Sequence, residues 1–274
     1  MEQDGEAYSV NITSQCRKRT NLTAMQIEHL KRIEISLPFV ADLAHAYLYL
    51  YVQTKEPGKM LVLKHYRPHT FFSEVELTGE GAFVSTLEEP LIAAAFAKGK
   101  FIQGQREWRF GINLEMYVQP IKCGNDVIGV VSLETGHSYA NSSNYHQLMD
   151  TALYLLDYAK KPLDKDEFHP MSPGTGIIIA DSNNRIVFAN LSANRIYRAL
   201  GIASLVGCRM QDRELSAMLH KETIDSSRPY EREIQIRDFV LVQRDIKLEE
   251  AGMLKRRIML LSDVSELRKK EREI

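Results

Sequence analysis

With 274 residues, 44% hydrophobic and 26% charged, the chain is long enough for about two ordinary globular domains. Its 35 basic residues against 36 acidic ones leave a net charge of -1, which argues against direct contact with nucleic acid or an anionic membrane. Cys16, Cys123 and Cys208 are far apart and make no C-x-x-C pair, so neither a disulfide framework nor a zinc site is expected, and a reducing cytoplasm is.

Residues 1–22 read as a loose, polar N-terminus without the basic start and apolar core of a signal peptide. No apolar run anywhere reaches the ~18 residues of a membrane span. Thr23 with Gln26 is a capping-box pair, and Ile27, Leu30, Ile33, Leu37 and Val40 follow at helical spacing, with Pro38 set to divide the helix. In "AYLYLYVQ" Tyr47, Tyr49 and Tyr51 alternate with Leu48, Leu50 and Val52, a strand with two usable faces. "KEPGK" turns the chain into a returning strand, "MLVLKHYR". "EEPLIAAAFAKG" is a short helix, with Pro90 in its first turn and Gly99 at its end. "LEMYVQPIK", a turn at "CGND" and "VIGVVSLE" form a second hairpin, and a helix capped by Asn144 follows.

The stretch 160–174 holds three prolines and many charges, and marks a domain boundary. Beyond it come "GIIIAD", a turn at "SNN" and "RIVFAN". A helix then runs from Leu191 to Leu200, capped by Asn190 and closed by Gly201. A short helix near 213–223 precedes three strands, "YEREIQIR", "FVLVQRDIKLE" and "MLKRRIMLLSD". The expected class is α+β: two antiparallel-sheet domains at 23–160 and 175–263, a linker at 161–174, and the start of a helix at 264–274. Asp263 and Glu266 are spaced as a second capping box at that exit.

The second half resembles a PAS domain through "GIIIADSNNRIVFAN", "SLVGCRM" and the exit "DVSELRKKERE". The first half resembles a GAF-like sensor through "RPHTFF", "EEPLIAAAFAKGKFIQGQ" and "VQPIKCGNDVIGVVSLET". In this order they look like the sensory half of a soluble two-component histidine kinase. The resemblance implies a signalling helix that runs on to an H-R-x-K-N-N-L phosphoacceptor, with ATP and Mg bound only in that further region. It also implies a response regulator as phosphoryl acceptor, often one with an RNA-binding antitermination output. The same sensors can precede a cyclic-dinucleotide synthase or a transcription activator, or serve as a non-enzymatic binding and dimerisation module.

Val264, Leu267 and Ile274 make an apolar stripe on a charged helix, the seam of a parallel homodimer, although Glu271 interrupts it. Asp263, Glu266 and Leu267 are the expected signal-coupling residues. No catalytic constellation is present. His137, in "HSYAN", lacks the Arg or Glu neighbour of a phosphoacceptor, and "GTG" at 174–176 leads into a strand, so it reads as a linker end. Cys208 directly follows Gly207, too early for a flavin-adduct cysteine, and His220 in "LHKE" reads as a surface residue rather than a haem ligand. His65 and His69 have no carboxylate or cysteine neighbour to complete a metal site. A small-molecule pocket in the first domain is the remaining candidate. Tyr49 and Tyr51, His65 and Arg67, and Tyr117 and Gln119 supply aromatics and convergent polar groups, with Arg67 as an anion clamp. Their competing reading is as core or interface residues.

Overall fold

The computed structural model describes residues 11–70, 78–109, 111–136, 144–159, 165–212, 223–224 and 231–272. The chain divides into two compact units, Met1–Ser142 with Ala159–Pro162, and Ser143–Tyr158 with Leu163–Ile274. Each holds one six-stranded antiparallel sheet. The α+β class expected from the sequence is therefore present in both.

The first unit opens with helices α1 (Ile12–Arg19), α2 (Ala24–Glu34) and α3 (Leu37–Ala44). Helix α1 corrects the expectation of a loose terminus through residue 22. Asn11 caps it by accepting from the Ser14 N–H, and Ile12 and Cys16, one turn apart, are both buried. Burial pushes the Cys16 thiol up to about 11, so it stays a protonated, inert core residue. The Thr23–Gln26 capping box forms, and the chain divides before Pro38 as its missing N–H requires.

The first sheet contains β1 (Tyr47–Gln53), β2 (Lys59–Tyr66), β3 (Phe83–Ser85), β4 (Ile102–Arg109), β5 (Ile112–Cys123) and β6 (Asp126–Gly136). Their order is β3-β2-β1-β6-β5-β4. Strand β1 is central and buried along all but its last residue, because helices lie on both faces. Helices α2 and α3 pack near the leucine face; a Cβ on Gly129 would stand 3.2 Å from Leu30 Cδ2. Helix α4 (Pro90–Lys98) covers the tyrosine face, where Ile92, Ala95 and Phe96 join Tyr47, Tyr49, Tyr51 and Val118. Burying both faces explains why β1 carries large apolar and aromatic side chains at every position.

Helix α5 (Tyr145–Tyr158) falls in the second unit, so the chain changes unit before the proline-rich stretch 160–174 as well as at it. The second sheet has the order β8-β7-β12-β11-β10-β9. Its strands are β7 (Gly176–Ala180), β8 (Ile186–Ala189), β9 (Thr223–Ile224), β10 (Glu231–Ile236), β11 (Phe239–Glu250) and β12 (Met253–Asp263). Helix α6 (Leu191–Ala199) packs one face, where Ile178, Ile196, Tyr197, Leu241, Met259 and Leu261 form the core. Gly176 permits that approach: a Cβ there would stand 3.1 Å from the backbone of Ala193. The short helix expected near 213–223 falls at 213–222 outside the described residues, with Thr223 already in β9. His137, His220 and Ile274 also lie outside them.

Asn190 ties this unit together. Its Oδ1 accepts from the N–H groups of Ala193 and Ile177, both at 2.9 Å, and its Nδ2 donates to the Thr175 carbonyl at 2.8 Å. Asn190→Ala is expected to lower stability by about 1–2 kcal/mol in urea denaturation. Asn190→Asp, which retains the acceptor, should recover part of that loss. Equal losses would show that the cap is not the important contact.

Candidate functional site

The tyrosine face of the first sheet holds a buried charge cluster. Strand register puts Tyr47 opposite Glu134, Tyr49 opposite Ser132, and Tyr49 opposite His65, so these side chains share one face. Arg106, from edge strand β4, bridges two carboxylates. Its Nη1 donates to Glu89 Oε1 at 2.5 Å and its Nη2 to Glu134 Oε2. Ser132 Oγ donates to Glu134 Oε1 at 3.0 Å. Glu89 directly precedes α4, and it reaches Arg106 because Leu91 packs over Gly104. A Cβ on Gly104 would stand 2.7 Å from Leu91 Cδ1. The rings of Tyr49 and Tyr51 lie 6.0 Å apart, and that of Tyr49 lies 6.3 Å from His65.

Burial dominates the electrostatics here. It pushes the Glu134 carboxyl up to about 7, against the opposing pull of Arg106. Glu89 is raised by the same cause. The Tyr49 hydroxyl is pushed up to about 12 by burial and then by Glu134, and Tyr51 is raised for the same reasons. The imidazole of His65 is lowered by burial. Arg106 Nε is buried with no acceptor among the described residues. The site therefore presents one guanidinium, two carboxyls that resist ionisation and a wall of tyrosine.

Of the residues expected from the sequence, Tyr49, Tyr51 and His65 come together, and both tyrosines are buried. Arg67 lies just past the end of β2 and is exposed. Tyr117 and Gln119 do not join the group. Tyr117 pairs with Leu133 and Gln119 with Val131, which in turn oppose Leu48 and Leu50, so both sit on the other face of the sheet. Sequence reasoning missed Glu89, Arg106, Ser132 and Glu134. The legible signal was Ser132 and Glu134, polar at alternate positions of the otherwise apolar run "VIGVVSLE". His69 does have a carboxylate partner: its backbone N–H donates to Asp42 Oδ1 at 2.5 Å and its Nδ1 lies 3.3 Å away. Among the described residues, no group of three or more His, Cys, Asp or Glu is arranged to hold a metal ion.

The second unit holds the coupling site. Helix α7 (Ser265–Arg272) leaves β12, and three contacts anchor it. The Val240 N–H donates to Ser265 Oγ at 2.8 Å, and Ser265 Oγ donates to Asp263 Oδ1 at 2.6 Å. The Val264 N–H donates to the Val240 carbonyl at 2.9 Å. Arg268 makes a fork to Glu233 on β10, with Nε 3.1 Å and Nη2 2.5 Å from Oε2. The expected Asp263–Glu266 capping box is replaced by an Asp263–Ser265 arrangement, in which Asp263 Oδ1 also accepts from the Ser265 N–H at 3.0 Å. Glu266 turns outward to Lys269, because the helix begins at Ser265, one residue later than a box on Asp263 needs. Leu267 stands 54% exposed at the helix root.

Known proteins place this architecture. The family profile for the GAF domain of histidine kinase PdtaS matches residues 12–152. A solved structure described as the sensor region of a sensor histidine kinase has a TM-score of 0.59 at 18% identity, covering 94% of this chain and 99% of its own. That likeness shows a shared fold across both units. The GAF domain of an Acinetobacter phosphoenolpyruvate-protein phosphotransferase has a TM-score of 0.31 at 14% identity, covering 51% of this chain and 94% of its own. The PAS domain of Bordetella pertussis BvgS has a TM-score of 0.27 at 18% identity, covering 36% and 83%. No curated protein matches the sequence. Among the described residues, no helix is long and apolar enough to cross a membrane. With its six-stranded sheet, its helices on both faces and more than half its length matched, the chain belongs to the family of histidine kinase PdtaS GAF domains, as a sensor histidine kinase region.

Proposed function

We propose that this chain is the sensory region of a cytoplasmic, dimeric histidine kinase, with a GAF-like unit followed by a PAS-like unit. The anchored exit helix carries the reading. Helix α7 is bonded to β11 through Val240 and to β10 through Glu233, so a change in the strands becomes a change in the helix. A small molecule or partner that biases two arrangements of α7 sets autophosphorylation in a kinase region outside this chain. Phosphotransfer to a response regulator follows there, with ATP and Mg. The charge cluster around Arg106 is the small-molecule site we assign to the first unit, with Tyr49, Tyr51 and His65 beside it. The family match and the shared fold of a solved sensor region support this function.

In a parallel dimer Leu267 faces its symmetry mate and Lys269 points away. Leu267→Cys in the full-length protein is expected to cross-link between subunits under mild oxidation, and Lys269→Cys about tenfold more slowly. Non-reducing electrophoresis over time reads both. Equal rates at the two positions would reject the dimeric exit helix.

A further inference from the structure

A cavity of about 380 Å³ lies on the outer face of the second sheet, beside the root of α7. It is distinct from the α6-covered core. Arg244 pairs with Glu231 and Leu260, and Val242 with Ser262, so these residues face away from Leu241, Met259 and Leu261. The lead-in segment around His169 and Met171 forms one wall, and Val264 and Leu267 form another. Its volume lies in the ~300–1,000 Å³ range of small-molecule sites.

The polar end is built on Arg244, which is 5% exposed. Three acceptors crowd its Nη1: the Glu167 carbonyl at 3.3 Å, the His169 carbonyl at 3.0 Å and His169 Nδ1 at 2.6 Å. An arginine Nη carries two hydrogens, so the three cannot all be satisfied at once. His169 Nδ1 also lies 2.9 Å from the Asp166 carbonyl, and its Nε2 3.1 Å from Glu231 Oε1. Nδ1 can accept from Arg244 or donate to Asp166, but it cannot do both. A carboxylate entering the cavity resolves the competition. It accepts two bonds from the guanidinium fork, and His169 turns to the Asp166 carbonyl. The other end is apolar. Met171, Val242 and Leu260 lead to Val264 and the exposed face of Leu267.

We propose that this cavity binds a small amphipathic carboxylate, its head on Arg244 and its hydrocarbon tail against Leu260, Val264 and Leu267. The tail covers the helix root and the head loosens the lead-in segment, so one ligand touches both ends of the unit. Binding itself is independent of any kinase; only its effect on signalling rests on the sensor function proposed above.

Calorimetric titration of the whole chain tests the site, with octanoate as probe and octanol and octylammonium as head-group controls. Octanoate is expected to bind one-to-one, and the two controls at least about tenfold more weakly. Ser262→Trp fills the cavity, and Leu267→Asp sets a like charge beside the tail. Both variants should keep the native circular dichroism spectrum and lose octanoate binding. Arg244→Gln should bring octanoate down to the affinity of octanol; should this variant unfold, the other two decide. Equal affinity for octanoate and octanol, no octanoate binding, or binding unchanged by both cavity variants would overturn the proposal. So would sedimentation in which Ser262→Trp dissociates a dimer, since a second copy would then occupy the cavity. Intact octanoate binding with no effect on autophosphorylation would instead count against the sensor function and leave the site standing.

Discussion

Arg106→Met is expected to lose about 3–5 kcal/mol of stability at pH 8 and to regain much of it at pH 5. Methionine retains a stem of similar bulk but leaves Glu134, which is 1% exposed, and Glu89 without their shared cation. In the wild type, burial raises the Glu134 carboxyl from 4.5 to about 7 in the folded state. A folded value above the unfolded one makes this group's contribution largest below pH 4.5, and that contribution is lost as pH rises through 7. Arg106 opposes the rise, so its removal raises Glu134 further and enlarges the alkaline loss. Urea denaturation of both proteins at the two pH values measures the effect: the gap between their midpoints should be wide at pH 8 and narrow at pH 5. Adding Glu134→Gln to Arg106→Met should restore stability at pH 8, because no charge then remains to be buried. A gap of equal width at both pH values would mean that an uncompensated carboxylate is not the cause.

Ser265→Ala is expected to cost about 1–3 kcal/mol and to release the exit helix from β11. The Val240 N–H loses its 2.8 Å acceptor, and Asp263 loses the hydroxyl that orients it. A buried backbone donor without a partner bears its full desolvation cost, which a polar side chain at the surface would not. Hydrogen exchange at the Val240 amide should accelerate, whereas amides in the middle of β12 should hold. A shift of about 1.4 kcal/mol moves a two-state balance tenfold, so autophosphorylation in the proposed full-length kinase should change by a similar factor. Ser265→Thr, which keeps the hydroxyl, should behave nearly as wild type. Unchanged exchange at Val240 in Ser265→Ala would show that the hydroxyl does not hold the helix.

Much of the fold was legible because local chemistry decides it. Thr23, Asn190 and Gly99 mark helix ends through their own backbone preferences, and each does so in the structure. The alternation of Tyr47, Leu48, Tyr49 and Leu50 could only be a strand with two covered faces. Strand β4 was not legible. "IQGQREWR" is polar along most of its length, as an edge strand can be, and it pairs only with β5. Helix α1 was hidden for a similar reason, since just Ile12 and Cys16 of its eight residues are buried.

The sequence by itself determined the class, the order of elements, the exit at Asp263 and the family resemblance, because these depend on residues near one another in the chain. Tertiary structure alone decided which residues form a site. Tyr117 looked like a partner of Tyr49, but strand register sets the two on opposite faces, and register depends on pairing between distant segments. Arg106 meets Glu134 across three strands and Glu89 across a helix approach that Gly104 permits. Glu266 lost its expected role to Ser265 and Arg268, whose partners Val240 and Glu233 lie 25 and 35 residues away in the chain. A charge buried at such a meeting point leaves almost no local pattern, because its cation and its carboxylates come from different elements.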